Sequence, residues 1–188
     1  MTHDPALEAH EHTEHAEHAA HEGNPFTAKI TITVAVLAVM AAAAGSLETV
    51  EGGKAITAYS EAVLAQDRAT DAWNEYQADS LKRHMYDIAA QNGGPHTGEY
   101  QKESVLERDD QGKARASADN FEKQRDQARE ESSRHEERHH WLTGAATLIE
   151  IGIALSTVAI ITKRQSLWLG AVGLGATGAA LFAAAYLT

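Results

Sequence analysis

The sequence predicts an all-α membrane protein with three transmembrane helices and a long antiparallel helical hairpin, expected to be a coiled coil, between the first and second. Uncharged apolar runs occupy 30–47 and 165–188, and the run 141–162 carries a single charge. A helix needs roughly 20 apolar residues to cross a bilayer. The polar segment 48–140 is rich in Ala, Glu, Gln, Lys and Arg and is interrupted by one strong turn signal, which is typical of a helical hairpin.

Residues 1–28 form an acidic, His-rich tail that is predicted to be disordered, because it has too few apolar side chains to form a core. Four histidines in it are spaced by three residues: His12, His15, His18 and His21. Neutral imidazoles bind Zn²⁺, Ni²⁺ or Cu²⁺, so this tail is a candidate for weak divalent metal binding. The alternative is a solvated acidic tail, and no other cofactor is expected.

The first transmembrane helix is predicted at 29–47. Its stretch AAAAGS (41–46) resembles a signal-peptide cleavage site, but residues 1–28 contain no Lys or Arg, whereas a signal peptide begins with a positive region. An uncleaved span is therefore expected.

The extramembrane hairpin is predicted at 48–140, with its turn at 92–98 (NGGPHTG). The pair Gly52-Gly53 predicts a kink or a break where the first span ends. Alanines before the turn alternate in steps of three and four, which is the spacing of a helix-packing seam: Ala55, Ala58, Ala62, Ala65, Ala69 and Ala72. The alternative is a solvated, charge-rich linker.

An aromatic stretch within the hairpin, AWNEYQADSLK, is a candidate docking surface for another subunit or a ligand. Its candidate residues are Trp73, Tyr76, Gln77 and Lys82. The alternative is that its large side chains fill a gap where the two hairpin helices diverge.

The second and third transmembrane helices are predicted at 141–162 and 167–187, joined by a short basic loop at 163–166 that forces them to run antiparallel. A stripe of small residues marks the third span: Ala171, Gly175, Ala179 and Ala183. Such stripes allow close helix contact in lipid, within one chain or between copies.

Glu150 is the one charged residue within the second predicted span. Its ionised form is most costly near the middle of a bilayer, so the residue is a functional candidate. It is expected to donate a hydrogen bond across a helix interface, to a backbone carbonyl or to a hydroxyl such as that of Thr33 or Thr177. The alternatives are a proton or ion relay and simple exposure to lipid.

Composition excludes several classes of function. The net charge of −11 provides no basic surface for nucleic acid. The absence of cysteine excludes disulfides and thiolate metal sites. The sequence contains no nucleophile elbow or phosphate-binding loop, so no enzyme is expected.

The short polar segments beside the spans predict how the chain is oriented in the membrane. Basic residues near the ends of spans favour the cytoplasm. Lys29, Lys163 and Arg164 lie on one side of the predicted spans, and a similar number lies on the other: Lys54, Arg129, Arg134 and Arg138. The short Lys163-Arg164 loop is the clearer determinant, because long polar segments cross the membrane largely regardless of charge. The N-terminus is therefore expected in the cytoplasm and the hairpin on the opposite side of the membrane.

Three stretches, EHTEHAEHAAHE, WNEYQADSLK and ITKRQSLWLGAVGLG, resemble in the same order the bacterial DUF4337 family. The resemblance implies the layout above and a location in the bacterial inner membrane, and it implies no active residues.

The predicted function is that of a non-enzymatic inner-membrane protein in contact with membrane lipid. It is expected to form a homo-oligomer, as a scaffold or as a subunit of a larger membrane complex. The alternatives are an oligomeric proton- or ion-conducting assembly that uses Glu150, and metal handling by the His-rich tail.

Overall fold

A computed structural model describes residues 25–187, which form three α-helices. The helices are α1 (Pro25–Gln91), α2 (Thr97–Thr162) and α3 (Gln165–Ala184). No strand occurs between Pro25 and the end of the described chain, which confirms the predicted all-α class. Each helix is long and apolar enough, by length and composition, to cross a membrane.

The predicted boundaries differ from the helix ends in three places. The predicted tail included 25–28, which belong to α1, and the predicted turn included Thr97 and Gly98, which belong to α2. Only Lys163 and Arg164 lie between α2 and α3. The remainder of the predicted tail lies outside the described residues.

The break considered at Gly52-Gly53 does not occur, because α1 is one helix of 67 residues that continues through both glycines. A glycine within a helix costs only about 1 kcal/mol relative to alanine, which packing against a second helix readily offsets. Gly52 also has a packing role, since a Cβ at this position would lie 3.2 Å from Nδ1 of His139.

Glycines form the turn between α1 and α2. Gly93 has φ 73° and Gly94 has φ 122°, a region that residues with a Cβ rarely adopt. The hydroxyl and the backbone N–H of Thr97 both donate to the Gly94 carbonyl, at 2.9 Å and 3.3 Å, and so stabilise the turn that leads into α2.

The chain divides into two compact units, which are described separately. Of the described residues, the span unit contains 25–55 and 133–187, and the hairpin unit contains Ile56–Ser132. The apolar core of the span unit combines residues of α1 and α2: Ile30, Val34, Leu37, Ala38, Ile149, Ile153 and Ala159.

Helix α3 packs closely against its neighbours in the span unit, because glycines remove side chains at the contacts. A Cβ on Gly152 of α2 would lie 3.1 Å from the Ala171 carbonyl oxygen. A Cβ on Gly175 would overlap the Leu37 side chain of α1. A Cβ on Gly178 would lie 2.6 Å from Cγ1 of Ile149 and 2.9 Å from the Ala145 carbonyl oxygen.

The predicted small-residue stripe of α3 is thus only partly available to another molecule. Ala171 and Gly175 are buried within the chain, Ala179 is half-buried and Ala183 is exposed.

In the hairpin unit, small side chains line the contact between the two helices. Buried alanines on the α1 side follow the predicted alternation of three and four: Ala58, Ala62, Ala65, Ala69 and Ala72. On the α2 side Ala114 and Ala118 are buried. Polar bonds flank this seam, including one of 2.9 Å from Arg125 Nη1 to Gln66 Oε1.

The glycine contacts predict different outcomes for two substitutions on the same helix. Gly178→Ala should destabilise the span unit by about 1–3 kcal/mol, because the added methyl group meets a backbone carbonyl and Ile149. Gly173→Ala is the matched control, since a Cβ there has no atom within 4 Å. Thermal unfolding of the purified protein in detergent measures both. Equal melting temperatures for the two variants would contradict the close packing of α3.

Candidate functional site

Glu150 lies on the exposed face of α2 in the span unit. We name this face the α2 outer face and define it by four exposed residues: Thr147, Glu150, Ala154 and Thr157. The exposure follows from helix geometry: Ile149 is fully buried, and the next residue along a helix points about 100° away.

The Glu150 carboxyl forms no hydrogen bond and no ion pair with the residues between Pro25 and Leu187. The expected bonds to Thr33 and Thr177 are not formed within the chain. The Thr33 hydroxyl donates to the Lys29 carbonyl at 2.9 Å and accepts from Trp168 Nε1 at 3.1 Å. The Thr177 hydroxyl donates to the Gly173 carbonyl at 2.9 Å.

Apart from Lys29 at the first residue of the first span, the exposed faces of the other two spans are uncharged. Helix α1 exposes Ile32, Val36 and Val39, and α3 exposes Leu169 and Val172. Such aliphatic side chains are compatible with lipid. Glu150 is therefore the single carboxylate on the exposed surface of the predicted spans.

A second polar cluster connects α1 and α2 just beyond the predicted end of the first span. Glu51 is only 4% exposed. Its Oε2 lies 2.5 Å from His135 Nδ1, and its Oε1 accepts from Lys54 Nζ at 3.1 Å. An ionised carboxylate is only an acceptor, so His135 donates from Nδ1.

Two opposing effects set the protonation of Glu51. Burial alone raises the pKa of this carboxyl, but the hydrogen bonds from His135 and Lys54 and their positive charges together outweigh it. The result is a pKa below the usual value of 4.5. Glu51 is thus held as a buried carboxylate with two donors.

Further contacts extend the cluster toward the span. His139 Nδ1 lies 3.1 Å from the Glu48 backbone carbonyl and donates to it. The Thr143 hydroxyl lies 2.7 Å from Glu48 Oε1 and 2.9 Å from the His139 carbonyl. Together with Glu51 and His135, these contacts fix the register of α1 against α2 in the span unit.

This cluster was missed in the sequence, although a signal for it exists. Glu48 and Glu51 are three residues apart on α1, and His135 and His139 are four apart on α2, so each pair shares a helix face. Both pairs lie near the predicted membrane boundary. Within the part of the chain that the structure describes, no group of three or more His, Cys, Asp or Glu side chains is arranged to hold a metal ion.

The predicted docking residues lie in the hairpin unit. Trp73 Nε1 donates to Glu122 Oε1 of α2 at 2.9 Å, and the Trp73 ring packs edge-on against Tyr76 at 5.5 Å. Both aromatic residues are half-buried, whereas Gln77 is exposed.

Lys82 is exposed and lies between two carboxylates. Its Nζ is 2.9 Å from Asp79 Oδ1 and 3.5 Å from Glu107 Oε2, and the Asp79 hydrogen bond is the main cause of its raised pKa. The structure thus accounts for Trp73 and Lys82 by contacts inside the hairpin, and a docking role for this stretch stays a prediction. The tail histidines His12, His15, His18 and His21 lie outside the described residues.

Comparison with known proteins gives one result. A family model described as "Domain of unknown function (DUF4337)" matches residues 26–188, nearly the whole chain. The chain belongs to the DUF4337 family. The resemblance to this family is thereby confirmed over residues 26–188, which include two of the three stretches that carried it. No curated protein and no solved structure matches. Because the family description gives no function, the function of this DUF4337 protein is argued from its own residues.

The buried carboxylate predicts a pH dependence of stability. Because the folded-state pKa of Glu51 lies below its unfolded value, the carboxylate stabilises the fold above about pH 4.5, and this stabilisation is lost as the pH falls through the folded-state pKa. Glu51→Gln should therefore lower stability at pH 7 by about 1–3 kcal/mol and flatten the acid limb of the profile.

Melting temperatures between pH 7 and pH 3 measure this effect. Glu61→Gln, at an exposed position on α1, is the control and should follow the unsubstituted protein. A Glu51→Gln profile parallel to that of the unsubstituted protein would show that the cluster does not depend on the ionised carboxylate.

Proposed function

We propose that this DUF4337 protein is a bacterial inner-membrane protein that spans the bilayer three times and self-associates, as a scaffold or as a subunit of a larger membrane assembly. Three apolar helices support the membrane location. The exposed, unpartnered Glu150 on the α2 outer face is the observation that carries the proposal of self-association.

Lipid surrounds the predicted spans, and a charged side chain is costly there. A carboxylate at the centre of a transmembrane helix costs about 2.5–3.5 kcal/mol on insertion scales, and such residues usually face protein. Since Glu150 faces away from the core of its own chain, contact with lipid alone leaves this cost uncompensated. A second polypeptide on the α2 outer face removes the carboxyl from lipid.

The hairpin supports a structural rather than a catalytic role. Its seam of buried alanines lets two helices pack closely, and we propose that it is an antiparallel coiled coil. The sequence contains no nucleophile elbow or phosphate-binding loop. The segment HEERH (135–139) matches the HExxH pattern, but Nδ1 of His135 is bonded to Glu51 and Nδ1 of His139 to the Glu48 carbonyl, so the proposed protein is non-enzymatic. Proton or ion conduction through Glu150 and metal binding by the tail stay predictions.

We further propose that the N-terminus and the Lys163-Arg164 connection lie in the cytoplasm and the hairpin in the periplasm, since basic residues in short loops favour the cytoplasm. The natural chain has no cysteine, so single cysteines report their own position. In intact cells with a permeable outer membrane, a maleimide that cannot cross the inner membrane should label Asn92→Cys and leave Gln165→Cys unlabelled.

Lysis is the control, since both variants should then react. Labelling of Gln165→Cys alone in intact cells would reverse the orientation. Labelling of both would contradict an odd number of spans between the two positions.

Self-association predicts the mass of the purified protein. Light scattering of the protein in mild detergent or in lipid nanodiscs should give a protein mass of at least twice the 20.2 kDa of one chain. A strict monomer under both conditions would overturn the proposal.

A further inference from the structure

We infer that the partner on the α2 outer face is a second copy of this chain, with the two Glu150 carboxyls hydrogen-bonded to each other across a two-fold axis. This inference rests on the proposed self-association and adds which surface is used and which groups meet there.

Chemistry selects the α2 outer face over the other exposed faces. The aliphatic side chains on α1 and α3 lose nothing in lipid, and the exposed hydroxyl of Thr177 is already bonded to its own helix at 2.9 Å. Glu150 has no such partner. Of the exposed faces of the described spans, the α2 outer face thus gains most from being covered by protein.

Symmetry selects a second copy as the occupant. Two copies inserted with the same orientation are related by an axis along the membrane normal, so a residue near that axis meets its own counterpart at the same depth. A protonated carboxyl has one donor and a free acceptor, and two such groups are therefore complementary to each other. No Lys, Arg or His within the described spans offers a different partner at that depth.

The residues around Glu150 permit the approach. Ala154 lies one helical turn away and has the smallest side chain with a Cβ. Thr147 and Thr157 have hydroxyls bonded to their own helix, at 2.8 Å to the Thr143 carbonyl and 3.2 Å to the Ile153 carbonyl. The face therefore presents small groups whose polar atoms are already satisfied, which suits close helix packing in lipid.

Disulfide crosslinking in native membranes tests which face is used. A disulfide requires Cα atoms within about 7 Å, so it forms only between positions close to the axis. Ala154→Cys and Thr157→Cys should give crosslinked dimers on mild oxidation. The matched controls, Val39→Cys on α1 and Val172→Cys on α3, are exposed residues of the other two spans and should stay monomeric under the same oxidation.

Two substitutions of Glu150 test the carboxyl pair. Glu150→Gln keeps a donor and an acceptor on each copy and should retain association. Glu150→Leu removes both and should weaken dimerisation by about five- to thirty-fold, the equivalent of 1–2 kcal/mol for a hydrogen bond between membrane helices. Energy transfer between labelled copies in lipid gives the dissociation constants, and circular dichroism checks that each variant is folded.

The outcomes distinguish a wrong docking face or a missing carboxyl pair from the absence of self-association. Crosslinking at Val39→Cys or Val172→Cys instead of the α2 positions would overturn this docking face while leaving self-association intact. Undiminished dimerisation of a folded Glu150→Leu protein would overturn the carboxyl pair. A monomer in light scattering, with no crosslink at any position, would overturn both the inference and the proposed function.

Discussion

The close packing of α3 against α2 fixes which side of α2 faces outward, and the exposure of Glu150 depends on this packing. In lipid, helices gain little by hiding apolar surface from water, so contact between them relies on van der Waals packing at short range. Gly152 and Gly178 allow this close contact because they have no side chain. Gly152 lies against the backbone of α3, and Gly178 lies against the backbone of α2 and the Ile149 side chain. Once this face of α2 is used, Glu150 must point outward.

The cluster around Glu51 shows a different solution for a carboxylate. Glu51 is almost fully buried, yet His135 and Lys54 donate to both of its oxygens. The helices exclude water from this carboxylate and replace it with two donors. The paired carboxylate fixes the relative position of α1 and α2, whereas the unpaired Glu150 is the basis of the proposed self-association.

The sequence was sufficient to predict the helices and their apolar faces, because periodicity and hydropathy depend only on neighbours along the chain. The alanine seam and the all-α class followed from spacing alone. The outward direction of Glu150 could not be predicted in this way, because Ile149, Ile151 and Ile153 are the same residue type and only the structure shows that the first and third are buried and the second is exposed.

Side-chain contacts between distant segments of the chain could not be predicted from the sequence. The Glu51–His135 contact joins residues 84 positions apart, and it requires the register of α1 on α2. The same limitation explains the wrong prediction of a break at Gly52. The sequence does not show that the ring of His139 packs beside this glycine.

The glycines of the spans also bear on how this sequence can change over evolutionary time. Gly173 faces open space, whereas Gly152, Gly175 and Gly178 each have a neighbouring backbone or side chain where a methyl group would go. Substitution of Gly173 should need no other change. Substitution of any of the other three glycines should require a compensating change on another helix. These four glycines should therefore diverge at very different rates among members of the family.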